Sequence, residues 1–237
     1  MTEILINDNI KITESQNIFI IEFKYSSYKI IQSLIKTHII QGASSDETYK
    51  ILKFKAQTVK TLRQYKNDKW INPYNYNMPI NDVVKMVHYL SEQLNYLINK
   101  ENSTILGYNI DEIIVINDDK FVFINNELVL NIEKDKKEMV KISSPFLITD
   151  FYISPEMLKI KEIPSFIHFK TSYFSFALLI IYCLVGDDDF YTNYLKHKHI
   201  ENILKTLNNH PIKNTKLYWI LSRCLDEEPT NRSIILI

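Results

Sequence analysis

Glycine is nearly absent from this chain: three occur in 237 residues, and the first is Gly42. A loop that cradles phosphate needs glycine so that its backbone can approach the anion closely. None can be built upstream of residue 42. Arginine is as scarce, since Arg63, Arg223 and Arg232 are the only arginines among 28 basic residues, leaving 25 lysines. Net charge is absent as well: 28 basic and 28 acidic residues cancel, which removes any whole-chain attraction to nucleic acid or to an anionic membrane surface. The two cysteines, Cys183 and Cys224, stand in apolar stretches without a CxxC or a histidine-rich context. They are expected to be reduced, buried thiols of an intracellular protein.

Long hydrophobic runs are missing too. The most apolar stretch, Phe174 to Val185, falls short of the roughly 18 to 20 residues a membrane-spanning helix needs, so a buried core helix is expected there. Met1 to Asn7 is short and acidic and lacks the basic-then-apolar pattern of a signal peptide. His197-Lys198-His199 has neither the i, i+4 spacing nor a nearby cysteine for zinc. Asp187-Asp188-Asp189 has the charge for Mg²⁺ or Ca²⁺, but a solvated loop between helices is the simpler expectation. No hydrolase nucleophile elbow occurs, and the tyrosines are not interleaved with basic residues as base stacking would require.

What is present suits a folded domain, or two small lobes: 46% of residues are apolar and 24% charged. Asn9 to Glu14 and Asn17 to Lys24 alternate in strand fashion around Ser15-Gln16, which predicts a β-hairpin. Ser27 to Gln41 carries β-branched isoleucines that argue for strand, while Ile30, Ile31, Leu34 and Ile35 have helical spacing. A short helix followed by a strand is preferred. Tyr49 to Lys55 reads either as a strand or as the start of a helix continuing through Leu62 and Tyr65. Asn72 to Pro79 is a loop by composition. Asn81 is placed to cap a helix whose stripe is Val83, Val87, Leu90, Leu94 and Leu97. Glu112 to Ile116 and Phe121 to Ile124 flank the turn Asn117 to Lys120. Leu128 to Ile132 and Met139 to Ile142 flank the charged turn Glu133 to Glu138. Helices are expected up to Val185 from Lys170, around Tyr191 to Leu207, and from Leu217 to Leu225. A small β-rich part thus precedes a mostly helical one, an α+β arrangement.

Several of these segments together resemble the C-lobe of protein kinases. Tyr89-Leu-Ser-Glu-Gln-Leu-Asn-Tyr-Leu97 is similar to the helix before the catalytic loop. Ile105 to Ile116 resembles the loop itself and the strand after it. Lys120-Phe-Val-Phe-Ile-Asn-Asn-Glu127 stands where a strand leads into Asp-Phe-Gly. Phe151-Tyr-Ile-Ser-Pro-Glu156 resembles the Ala-Pro-Glu segment. Lys170-Thr-Ser-Tyr-Phe-Ser-Phe-Ala-Leu-Leu179 is similar to the helix start that follows it. Arg223-Cys-Leu-Asp-Glu-Glu-Pro-Thr-Asn-Arg232 is similar to the late Arg-Cys-Leu-x-x-x-Pro-x-x-Arg. The likeness covers residues 58 to 237, and the earlier residues are only loosely kinase-like. It implies a two-lobed α+β fold, with 1–58 a reduced β-rich N-lobe and 59–237 a mainly helical C-lobe. It further implies an ion pair between Glu156 and Arg232 that ties the activation segment to the C-terminal helices. The alternative is two unrelated surface charges.

Phosphoryl transfer requires a carboxylate at the accepting hydroxyl, metal ligands, a lysine on the phosphates and a glutamate to hold that lysine. Asn109 stands at the position of the catalytic aspartate, and its amide cannot take a proton as a carboxylate does. The asparagine expected five residues later falls on Ile113 or Ile114. At Asp-Phe-Gly the chain reads Asn125-Asn126-Glu127, without the charged first residue. Lys24 is a weak candidate for the ATP lysine. No acid between Glu22 and Asp46 is there to hold it, and a surface strand lysine is the simpler expectation. The resemblance therefore implies a catalytically inactive, pseudokinase-type module that binds a protein partner, with no nucleic acid, no membrane, and no metal or other cofactor expected. The enzyme alternative is an atypical kinase that keeps ATP and Mg²⁺ with rearranged residues such as Asp111, Glu112 or Asn125. A third is a structural or virion-associated protein. Similar reduced kinase-like proteins occur in large DNA viruses with AT-rich genomes, which suits the lysine, isoleucine and asparagine bias, and would place the chain in the host cytoplasm or the virion.

Overall fold

A computed structural model describes residues 2–69, 77–133, 135, 138–145, 152–185 and 200–234. Alternation of apolar and polar residues builds the first sheet. Strands β1 (Thr2–Asn7), β2 (Ile10–Ser15) and β3 (Ile18–Phe23) run antiparallel, helix α1 (Tyr28–Lys36) follows, and β4 (Ser44–Ser45) and β5 (Ile51–Lys55) complete the order β1-β2-β3-β5-β4. Ile12, Ile21 and Leu52 lie in register across three strands, and all are buried. Phe19 stacks on Phe54 at a centroid distance of 6.1 Å. Gln16 and Asn17 take φ of 53° and 62°, the left-handed pair that a tight hairpin demands.

Two expectations for this region change. Residues 2–7, passed over as a plain terminus, form an edge strand. The strand expected in the second part of Ser27 to Gln41 does not form: residues 37–42 make turns and bends in which Ile39 and Ile40 are buried, and the Ile39 carbonyl accepts from Lys120 Nζ at 2.6 Å. The isoleucines that read as strand are packing residues. The open choice at 49–65 resolves to β5, then β6 (Val59–Thr61), then α2 (Leu62–Lys69).

Helix α3 (Ile80–Glu101) buries Val83, Met86, Val87, Leu90, Leu94 and Leu97 along one face. Its N-cap is Pro79, not Asn81. Pro79 has φ −54° and ψ 136°, which stops the helix at that residue, so Asn81 lies exposed in the first turn instead. At the far end Asn102 enters the left-handed region at φ 47°.

Beyond α3 come β7 (Ser103–Ile105), β8 (Gly107–Tyr108), and the hairpin β9 (Ile113–Ile116) and β10 (Lys120–Phe123). Asn117 and Asp118, both at φ 54°, make the hairpin turn, and Lys120 is already in the strand. β6 pairs on the other side of β9, giving β10-β9-β6. Every β9 residue is buried, which is why the segment reads as a continuous apolar run. β11 (Val129–Glu133), β12 (Met139–Ile142) and β14 (Ser165–His168) form the order β14-β12-β11-β7, while β13 (Tyr152–Ile153) pairs with β8.

The remaining described helices are α4 (Pro155–Leu158), α5 (Thr171–Val185), α6 (Ile200–Asn209) and α7 (Lys216–Cys224). α5 is buried at every residue but its last, as expected of the most apolar stretch. Cys183 and Cys224 are both buried, and burial pushes the Cys224 thiol up to about 12. The fold is mixed α+β with antiparallel pairing throughout the described strands. Among the described residues no helix is long and apolar enough to cross a membrane. Asp187-Asp188-Asp189, His197-Lys198-His199, Phe151, most of the loop at 72–79, the start of the helix expected from Tyr191 and part of the turn at 133–138 lie outside the described residues.

Gln93 is a fully buried amide with three hydrogen bonds. Its Nε2 donates to the Phe123 carbonyl at 2.8 Å and to Ser33 Oγ at 3.0 Å, and its Oε1 accepts from Phe123 N at 3.0 Å. β10 is the edge of its sheet, so this amide does for Phe123 what another strand would do. Gln93→Leu keeps the volume but leaves both Phe123 groups buried and unpaired, at about 1 to 3 kcal/mol each. Denaturant unfolding is expected to show a loss of about 2 to 6 kcal/mol, against a near-neutral effect if water could replace the amide.

Candidate functional site

Asn109, Ile113, Ile114 and Asn125, four of the positions named from the sequence, lie around the loop between β8 and β9, in β9 and just past the end of β10. Asn109 is half-buried, its Oδ1 accepts from Asp111 N at 2.9 Å, and its carbonyl accepts from Glu112 N at 3.0 Å. It therefore shapes the turn that leads into β9. Ile113 and Ile114 are fully buried in β9. Asp111 is held by Arg63 of α2 through two bonds, Nε at 2.7 Å and Nη2 at 2.9 Å.

Glu112 points inward and is only 5% exposed. Its Oε1 accepts from Asn125 Nδ2 at 2.7 Å and Asn7 Nδ2 at 3.1 Å, while Oε2 is buried without a hydrogen-bond partner. Burial pushes this carboxyl above the ordinary range; the Asn125 and Asn7 amides pull it down, and the Glu127 and Asp111 charges push it up again. Asn125 is also buried, and both ends of its amide are engaged, since Oδ1 accepts from Glu127 N at 2.8 Å.

The groove above these residues is entered by the turn joining β1 to β2. Asn7 reaches Glu112, and Asn9 Nδ2 donates to Glu127 Oε1 at 2.5 Å. The turn is braced internally, with Asn9 N donating to Asn7 Oδ1 at 2.9 Å. Two cavities among the described residues border the turn, one of about 70 Å³ lined by residues including Asn9, Tyr25, Asn125 and Glu127 and one of about 200 Å³ lined by residues including Asn7, Asn9, Phe23 and Lys24, whereas small-molecule sites occupy about 300 to 1,000 Å³.

Lys24 falls one residue past β3, exposed, with its Nζ 5.6 Å from the Tyr25 ring centroid. It is neither on the strand nor in the groove. The following helix α1 offers no acid; its Lys29 donates to Ser103 Oγ at 2.7 Å and to Asn131. Among the described residues no cluster of three His, Cys, Asp or Glu side chains is placed to hold a metal ion.

Asn7, Asn9, Glu127 and Gln93 were not singled out from sequence. A signal existed for the first two: Asn7-Asp8-Asn9 sits between the apolar runs Ile4 to Ile6 and Ile10 to Ile12, a hairpin pattern. That the turn would meet Glu112, more than a hundred residues away, had no local signal.

Glu156 and Arg232 meet. Ser154 caps α4, and its hydroxyl is bonded to that of Thr171, whose Oγ1 lies 3.2 Å from Glu156 Oε2. Arg232 Nη2 donates to Glu156 Oε1 and to the Glu227 carbonyl at 3.3 Å, and Nε donates to the Asp226 carbonyl at 2.8 Å. The guanidinium lies over the Phe174 ring at 4.9 Å. The arginine side chain has no exposure and the glutamate side chain 20%. One pair thus joins α4, α5 and the turn at Pro229–Asn231. An open cleft of about 830 Å³ lies beside it, lined by residues including Glu156, Lys159, Phe166, His168, Glu228 and Pro229. None of the degenerate positions borders that cleft.

No protein-family model matches this chain, and no curated protein matches it. The class that the described residues define is a mixed α+β fold, with one site of paired amides and carboxylates and one buried ion pair.

Removing Glu156 strands the arginine charge in the core. Glu156→Ala is expected to cost about 3 to 5 kcal/mol, and unchanged unfolding would show that the pair contributes nothing. Burial alone would raise the Glu156 carboxyl, but the Arg232 hydrogen bond, Ser154 and the arginine charge together bring it below the ordinary value. A carboxylate depressed in the folded state stabilises above its unfolded pKa, and that stability is lost as pH falls through the folded value. Stability should decline below about pH 4, with a shallower acid limb in Glu156→Gln.

Proposed function

We propose that this chain is a catalytically inactive protein-kinase-like domain that works as a protein-binding or regulatory scaffold. The observation that carries this reading is the filled groove: Asn7 and Asn9 occupy the face of Glu112, Asn125 and Glu127, and the two described cavities bordering their turn, of about 70 and 200 Å³, are each smaller than a nucleotide site. The chemistry agrees with it. Asn109 is committed to a backbone turn and Asn125 to Glu112 and Glu127, so neither is available to a hydroxyl or a phosphate.

The order of elements supports the kinase-like assignment. Three strands, a helix and two strands precede the helical part, the order in which a kinase places its lysine on the third strand and its glutamate on the next helix. Here those places hold an apolar strand and a helix bearing Lys29. A division at residue 58 falls between β5, in the first sheet, and β6, which pairs with β9. Glu156 and Arg232 give the helical part the tie that the resemblance implies. The surface best suited to a protein partner is the open cleft beside that pair, which Phe166, 36% exposed, lines. An intracellular setting accords with the two buried thiols.

Melting with saturating ATP and Mg²⁺ tests the reading. A ligand at 100 times its dissociation constant would add about 2.7 kcal/mol, which is about 5 to 10 °C for a chain of this size. No shift is expected. A shift of that size together with phosphate transfer to a generic protein substrate would establish an enzyme instead.

A further inference from the structure

We propose that Glu112 is a protonation-controlled latch: neutral, it keeps the β1–β2 turn seated in the groove through Asn7, and ionised, it releases that turn. The latch rests on contact geometry alone, so it stands or falls separately from the kinase-like reading. Glu112 has one oxygen bonded to two amides and the other enclosed without a donor. Closing the turn over it excludes water from that second oxygen. For a neutral carboxyl this is a modest loss, whereas for a carboxylate it leaves an anionic oxygen buried and undonated.

The charged groups around it deepen the asymmetry. Asp111 on its own loop and Glu127 beyond β10 both act on Glu112 as like charges. Arg63 of α2 engages Asp111 through two bonds. From the β1–β2 turn the groups that arrive are the Asn7 and Asn9 amides, which donate but carry no charge. Swinging the turn away would admit water to Glu112 and relieve the repulsion from Glu127, whose own partner Asn9 leaves with the turn. The raised pKa of the seated state agrees with this direction.

The turn is also a movable part. β1 is an edge strand, paired only to β2 among the described strands, and Leu5 is largely exposed. Its side-chain hydrogen bonds into the groove, among the described residues, are those of Asn7 and Asn9, and its backbone is tied to Lys24 through the Asn9 carbonyl. Because opening releases one proton, the opening constant is flat below the ordinary glutamate range. It rises with pH by at most about tenfold per unit, and levels off above the seated pKa.

Hydrogen exchange on the full chain from about pH 4 to about pH 8 reads this directly. Rates should be expressed as protection factors, so that the intrinsic pH dependence of exchange cancels. Protection of the amides at residues 3–9 and of Lys24, whose N–H donates to the Asn9 carbonyl at 2.8 Å, is expected to fall as pH rises. The α3 amides around Leu90 to Leu97 should stay constant over the same range. In Glu112→Gln, which holds the neutral form, the slope should vanish. In Asn7→Ala, which alters only the turn side of the contact, protection should be low and nearly independent of pH. A flat wild-type profile, a slope retained in Glu112→Gln, or an Asn7→Ala profile matching the wild type would each overturn the latch.

Discussion

The buried amide of Gln93 sets the geometry on which the rest of the molecule depends. A strand at the edge of a sheet presents N–H and C=O groups that must find partners once buried. β10 lies against α3 with no further strand beyond it. One carboxamide supplies both a donor and an acceptor, so Gln93 satisfies both Phe123 groups and has a second N–H left for Ser33 of α1. Three elements are thereby held at one point. Since Asn125 follows Phe123 by two residues, the place where β10 delivers its last side chains into the groove is fixed by the same amide.

Within that groove the presence of amides beside the carboxylates has a simple physical effect. Several carboxylates gathered in a buried site repel one another unless a cation is present. An asparagine carries both a donor and an acceptor on one side chain. Asn109 and Asn125 spend theirs on neighbouring backbone and on Glu112, and Asn7 and Asn9 arrive as donors to the two remaining acids. The site can close on itself without an ion. The cost is concentrated at the second oxygen of Glu112, the one acceptor left over.

The ion pair between Glu156 and Arg232 belongs to a different part of the design. Its arginine is anchored by two backbone carbonyls and an aromatic face, while Nη1 is buried without a hydrogen-bond partner among the described residues. A pair of this kind adds little net stability over an apolar replacement. What it contributes is register: helix α4, the start of α5 and the last turn can meet in only one way if both charges are to be paired.

Where periodicity was strong, the sequence already contained the answer: the stripe of α3, the alternation of β2 and β3, the all-apolar α5 and the turn at Asn117-Asp118 follow from local pattern, while the β2–β3 hairpin turns at Gln16-Asn17, one residue later than the Ser15-Gln16 expected. Periodicity could not decide whether Ile39 and Ile40 were strand or packing residues, because β-branched side chains serve both and the choice rests on Lys120, which lies far along the chain. Nor could it show that Asn7 and Asn9 cross to Glu112 and Glu127. Hydrogen bonds between residues more than a hundred positions apart leave no mark in either sequence neighbourhood, and only the tertiary structure brings the β1–β2 turn to Glu112 and Glu127.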